Sequence, residues 1–261
     1  MARPSKQQKQ EQQFAKKRFA TASRLEKEYT RSLRQVTRQI DAIVKGMQKK
    51  DGAIDSNALQ DMLNKYAQIL KPWAESVAEK MIARIAKKDE SSWIKLGREM
   101  GRELRKELDN APTGEALRKY LNEQVHLITS LPIDAGKRVH KLALEGISEG
   151  RRYEDIVKDI LDTGRVTESR ARLIARTETA RVASGLTKAR AEHVGSTHYI
   201  WRTVGDADVR EGHKEMNGKV CEWANPPLVN EGTKESPRWM KHGPGSIWNC
   251  RCFASPIFTS D

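Results

Sequence analysis

The densest set of metal-capable side chains lies near the end of the sequence: His213, Cys221, His242, Cys250 and Cys252. In a strand, residues two apart share a face, so Cys250 and Cys252 would present two thiols to one side. Two thiolates can share one soft ion. Zinc takes four nitrogen or sulfur ligands, and His213 and Cys221 complete a candidate set with Cys250 and Cys252. The spacing is not that of a common zinc finger, because no C-x2-C pair is present. Two other readings stay open: three thiols buried as small hydrophobes in a reduced protein, or a disulfide. A second cluster holds Asp206, Asp208, Arg210, His213 and Asn217. Asp and His together can bind a hydrolytic metal or move protons. Against that, Asp in a turn usually bonds nearby backbone amides, and Asn217-Gly218 suits a left-handed turn. No nucleophile with a base and an orienting group is legible. The chain is therefore expected not to be an enzyme, no catalytic residue is assigned, and structural zinc is the one candidate cofactor.

The other chemistry is electrostatic. The chain has 261 residues and a formal charge of +13. Residues 1–50 hold fourteen Lys and Arg against four Asp and Glu, a net of +10, so the basic character belongs to the N-terminus. Ala22, Leu25, Tyr29, Leu33, Val36, Ile40, Ile43 and Met47 recur at steps of three and four, which makes one apolar stripe on a long helix. Lys16, Lys17, Arg18, Arg24, Lys27, Arg31, Arg34 and Arg38 share that helix. They are the candidate contacts to double-stranded DNA, bound through phosphates without reading sequence. A solvated outer face of a helix bundle would look similar. A membrane surface ranks lower, because the polar face is so rich in Lys, Arg and Gln and aromatics are only 6%. No membrane partner is expected.

These residues need elements to hold them. Hydrophobic residues make up 37% and charged ones 32%, so a core must come mainly from aliphatic residues in helices. Residues 1–13 are Lys, Gln and Glu and read as a basic arm, disordered or weakly helical. Residues 14–150 read as a helical region that opens on the basic helix. Asp55 or Ser56 can cap its second helix. Pro72 is expected to kink that helix or start a new one, and a separate helix is expected from about Ser91 to Leu108. Asp109-Asn110-Ala111-Pro112 signals a turn. Pro132 suits the first turn of a further helix. A short helix covers Tyr153 to Leu161, stopped by Gly164, and Thr167 caps another that runs to about His193. Thr197 to Val204 is the best strand, Val209 to Met216 one or two helical turns, residues 224–246 a long loop, and Asn249 to Phe258 a last strand. The fold class is mostly α: an elongated helical N-terminal region, then a small α+β C-terminal domain, residues 151–261, with short strands and long loops. The N-terminus lacks the apolar segment of a secretory signal. Three cysteines, an odd number, suit a reducing compartment.

Several short motifs occur in a fixed order: Ile174-Ala175-Arg176-Thr177-Glu178-Thr179, Trp201-x-Thr203-x2-Asp206, Val209-Arg210-x2-His213, Asn217-Gly218 and Asn249-Cys250-Arg251-Cys252. Together they resemble the Mu F-like head-morphogenesis, or minor capsid, family of tailed phages, over about residues 150–258. The resemblance implies structural roles for Arg176, Thr177, Glu178, Trp201, Asp206, Arg210, His213, Asn217, Gly218, Asn249, Cys250 and Cys252. It also implies a minor head protein that acts in head morphogenesis and in DNA packaging or delivery. Its partners would be a portal protein, capsid or scaffold proteins and non-specific double-stranded DNA. Its place would be the head interior near the portal vertex, with the host cytoplasm during assembly. Some relatives carry a C-x2-C pair where this chain has Arg210 and His213, which leaves a zinc site one thiolate short here. The competing readings are a metal-dependent nuclease or toxin-type enzyme on the same domain, and a zinc-stabilised nucleic-acid-binding module. The nine residues after Cys252 leave no room for a fused toxin domain.

Overall fold

The structure, a computed structural model, describes residues 6–100 and 113–258. Helix α1 spans Lys6–Gly46, α2 Ser56–Met100, α3 Thr113–Ser148, α4 Tyr153–Leu161 and α5 Thr163–His193. Then come β1 (His198–Arg202), α6 (Glu211–Met216), β2 (Val220–Glu222), β3 (Leu228–Asn230), β4 (Trp239–Lys241) and β5 (Phe253–Ile257). The expected class is what is observed: long helices followed by a small region of short antiparallel strands. No helix among the described residues is long and apolar enough to cross a membrane.

The helices run further than the breaker residues suggested. α1 begins at Lys6, inside the expected arm, because Lys, Gln and Glu are good helix formers and extending a helix costs less than nucleating one. α2 passes through Pro72, which sits on the exposed side, where water can serve the carbonyl that loses its donor. The separate helix expected from Ser91 is the continuation of α2, and the turn expected at 109–112 lies outside the described residues. α3 likewise continues through Pro132. In the turn before it, the hydroxyls of Thr129 and Ser130 donate to the carbonyls of Val125 and Leu127, both at 2.9 Å. Gly164 does not end a helix. It lies in the first turn of α5, so close to the Asp41 side chain that no Cβ would fit. The cap of α2 is Asp55, whose Oδ1 accepts from the N–H groups of Asn57 and Ala58 at 3.0 Å.

The described residues form two compact units. One combines Lys27–Lys80 with Leu121–Ala175 and is wholly helical apart from its connections. The apolar stripe of α1 is buried there through Tyr29, Leu33, Val36, Ile40 and Val44, against a core that includes Leu59, Leu63, Ile128, Leu131 and Ile156. Within it the buried Tyr29 hydroxyl donates to Gln124 Oε1 at 3.0 Å.

The other unit combines the described parts of Met1–Glu26, Met81–Tyr120 and Arg176–Asp261. Its three-stranded sheet has the order β2-β1-β5, antiparallel throughout. β1 alternates: Tyr199 and Trp201 are buried, while His198, Ile200 and Arg202 are half-buried. Tyr199 pairs with Cys221, and Trp201 with Ala254. The expected loop at 224–246 contains a hairpin, β3 with β4, with Val229 opposite Met240. Prolines bracket these strands without entering them, and three-residue strands are too short to show a period. The core of the unit gathers Trp93, Tyr199, Trp201, Trp223, Val229 and Ile247 around Cys250 and Cys252.

Candidate functional site

Cys250 and Cys252 lie in the turn just before β5 rather than in a strand, yet their sulfurs do converge. Cys250 Sγ is 3.6 Å and Cys252 Sγ 3.4 Å from Nδ1 of His213 on α6. The other nitrogen of that ring, Nε2, is 2.7 Å from Glu231 Oε1. The same carboxylate oxygen is 2.7 Å from Nε2 of His242, whose Nδ1 is 2.9 Å from the Gly243 carbonyl. Glu231 has no exposed side-chain surface, and His213 and His242 keep 2% and 5%. The Trp201 indole stands edge-on to both imidazoles, with centroids 5.5 Å and 5.7 Å away. Arg210 Nη1 approaches the second oxygen of Glu231 at 3.4 Å.

Cys221 does not join this group. Its register places it opposite Tyr199, one step along the strand from Trp201, and burial raises its thiol pKa. Of the expected set, the structure brings His213, Cys250 and Cys252 together and leaves Cys221 apart. Glu231 and His242 stand behind His213. Sequence reasoning had no signal for Glu231, a lone acid between turn residues.

Electrostatics follow from the contacts. Burial alone would lower the His213 pKa, but the Cys250 sulfur and the Glu231 carboxylate outweigh it and raise the group. The Cys252 hydrogen bond and His213 hold the Cys250 thiol well below its usual range. Cys252, facing Cys250 in a buried site, is pushed up.

The remaining motif residues tie neighbouring segments together, mostly through their side chains. Arg181 grips Glu178 Oε2 with two nitrogens at 2.9 Å and 2.7 Å, so the intrahelical pair expected from their spacing is present. Thr177 Oγ1 accepts from the N–H of Asn249 at 3.1 Å and so anchors α5 to the cysteine turn. Asn249 itself takes a left-handed φ of 57°, a conformation Asn tolerates better than most residues. Arg210 donates to the Trp248 carbonyl at 2.9 Å, and Asn217 Oδ1 accepts from the Thr203 N–H at 3.0 Å. Gly218 has φ +87° and donates to the Trp201 carbonyl at 2.8 Å. Arg176 pairs with Glu26 at 3.1 Å.

Asp206 departs from its expected turn role. Both its oxygens are held by Arg251, at 2.6 Å and 2.9 Å, and Asp208 is 3.4 Å from the same guanidinium. The Asp206–Asp208–His213 grouping does not form, because His213 points instead to the cysteines and Glu231. A cavity of about 230 Å³ lined by α1, α2, α5 and residues 251–253 also contains acids, but Glu26 faces Arg176 and Asp89 faces Arg190. Those carboxylates already have cationic partners, which disfavours a hydrolytic metal there.

α6 sits so close to β3 that the Asn230 carbonyl fills the space a Cβ on Gly212 would need. Backbone cannot yield as a flexible side chain can. Gly212→Ala is expected to cost about 1–3 kcal/mol, read as a lowered thermal midpoint. An unchanged midpoint would mean that α6 can slide off β3 freely.

Of the candidate DNA contacts, Arg24, Lys27, Arg31 and Arg38 are exposed along the side of α1 opposite the buried stripe. Arg34 is half-buried and lies 3.2 Å from Glu168. The side chains of Lys16, Lys17 and Arg18 fall outside the described residues.

The Arg-Thr-Glu stretch of α5 is thus tied to the Asn-Cys-Arg-Cys turn before β5 through Thr177 and Asn249. Residues 137–255 match the family model described as Phage Mu protein F like protein. An uncharacterized protein of Haemophilus influenzae is 30% identical over 212 residues, which cover 80% of this chain and 45% of that protein. The minor head protein GP7 of Bacillus phage SPP1 is 24% identical over 153 residues, 55% of this chain and 49% of GP7. The chain thus spans about half the length of the curated relatives it matches. No solved structure matches it.

Proposed function

We propose that this chain is a minor head protein of a tailed bacteriophage, active in head morphogenesis at the portal and capsid interior and in DNA packaging or delivery. The observation that carries this reading is the 24% identity to a minor head protein over 153 residues, beside the family-model match at residues 137–255. Its partners are a portal protein and capsid or scaffold proteins. It acts in the head interior near the portal vertex, after assembly in the host cytoplasm. The internal bonding of the motif residues supports a scaffold rather than an enzyme: Asp206, Glu178 and Arg210 are each used in holding neighbouring segments. Co-expression with the portal protein of the same genome, followed by size-exclusion chromatography, tests the assignment. Co-elution is expected, and separate elution at every salt concentration would overturn it.

Double-stranded DNA is the proposed polyanion for α1. Arg24, Lys27, Arg31 and Arg38 follow one another at steps of three, four and seven on its exposed side, a spacing that suits phosphates and carries no base-reading information. Changing these four to Gln is expected to weaken binding equally across DNA sequences. It should also flatten the salt dependence of the binding constant by roughly 1 for each phosphate that is no longer neutralised. Identical affinity and slope in the variant would show that DNA is held elsewhere or not at all.

A further inference from the structure

We propose that His213, Cys250 and Cys252 bind one zinc-class divalent ion, through the imidazole Nδ1 and the two sulfurs, with Glu231 fixing the imidazole from behind. The case is independent of the head-protein reading.

The first argument is geometric. A tetrahedral zinc ion with bonds of about 2.3 Å to sulfur and about 2.0–2.1 Å to nitrogen sets its nitrogen and sulfur ligands about 3.5 Å apart. The two nitrogen–sulfur separations here are 3.6 Å and 3.4 Å. The three ligand atoms all lie within 4.8 Å of one another. The contacts from Glu231 to the two imidazoles, each 2.7 Å, are hydrogen-bond lengths and too short for two ligands of one ion. Glu231 therefore belongs outside the coordination shell.

The second argument concerns protons. A carboxylate accepts only, so Nε2 of His213 carries the proton that Glu231 takes up as a hydrogen bond. That leaves the Nδ1 lone pair pointing at two sulfurs in a site that is almost fully buried. Something electropositive must sit among these three atoms. It is either a shared proton or a metal ion. An ion does better on charge: two thiolates, a neutral imidazole and a divalent cation sum to zero, and a neutral centre is the cheapest to bury. Coordination by thiolates releases whatever protons the thiols carry without the ion.

The third argument is the surrounding shell. Metal-bound histidines usually donate their second N–H to a carboxylate, and Glu231 is placed for that. The backbone N–H of Gly245 donates to Cys250 Sγ at 3.2 Å, which would spread the charge of a coordinated thiolate. The described residues supply three of the ion's ligands. The ion would join α6 to the cysteine turn and, through Glu231, to the segment after β3.

The test uses the full chain, produced with zinc in the medium, freed of any affinity tag and dialysed. Elemental analysis should find close to one zinc per folded chain. Replacement by cobalt(II) should give thiolate-to-cobalt charge-transfer absorption and the visible bands of a tetrahedral centre. Cys250→Ser with Cys252→Ser should abolish both signals, and Cys221→Ser should leave both intact. Well under one zinc per folded chain, metal retained by the double variant, or metal lost in Cys221→Ser would each overturn the site. Should the double variant not fold, Glu231→Gln decides. It keeps all three ligands, and competition with a chromophoric chelator should show zinc affinity lower by about 10–100-fold. Unchanged affinity would remove Glu231 from the proposal.

Discussion

Replacing Trp201 by alanine is expected to lower the unfolding free energy by about 3–5 kcal/mol, among the largest effects of any single change in this chain. The side chain is fully buried at the centre of the β2-β1-β5 sheet. Its removal subtracts the transfer energy of an indole and leaves a cavity beside two imidazoles. That cavity closes poorly. His213 and His242 are both held by Glu231, and the facing residue on β5 is Ala254, too small to fill the gap. Denaturant unfolding followed by far-UV circular dichroism would give the number, since fluorescence itself loses a reporter in this variant. A loss of under about 1 kcal/mol would mean that the neighbours collapse into the space.

A comparable effect is expected at Asp89 on α2. It is buried, its Oδ2 lies 3.0 Å from Arg190 Nη1, and its Oδ1 accepts from the Thr187 hydroxyl at 3.0 Å. Asp89→Ala leaves a guanidinium with little water and no counter-charge, at a cost of about 3–5 kcal/mol. The pair as a whole is worth much less. Asp89→Leu combined with Arg190→Met removes both charges and puts apolar volume in their place, an exchange that is often neutral or stabilising. Thr187 would keep its second acceptor, the Ala183 carbonyl at 2.9 Å. The double variant should therefore recover most of the loss seen in the single one. A double variant as unstable as Asp89→Ala would show that the pair is needed for more than mutual neutralisation.

Much of the fold was legible because periodicity and composition change sharply near residue 195. The stripe from Tyr29 to Val44 is the buried face of α1, and the β-branched and aromatic run around Tyr199 is β1. What misled was local chemistry read without its surroundings. Proline at 72 and 132 argued for helix ends, yet α2 and α3 continue through them, at 72 on an exposed position. The hairpin of β3 and β4 was hidden by its shortness. In the site, the Cys250 and Cys252 pair and His213 could be found from residue type and spacing. Cys221 could not be excluded, because only strand register decides whether it faces Tyr199 or the cysteine turn. Glu231 could not be found at all, since nothing near it in sequence marks a carboxylate destined for full burial.

The contacts that close the two units are remote along the chain, and this governs how the protein folds. Thr187 bonds Asp89 across 98 residues, Tyr29 bonds Gln124 across 95, and Tyr153 bonds the backbone at Ile54 across 99. Individual helices can form in about a microsecond, but their docking waits on large loops closing. On the ribosome, α1 and α2 emerge long before their partners, with apolar stripes such as Leu33–Ile40 and Leu59–Leu70 facing solvent. Folding of this chain should therefore be late and slow relative to helix formation. The nascent chain should be a client for chaperones that shield amphipathic helices.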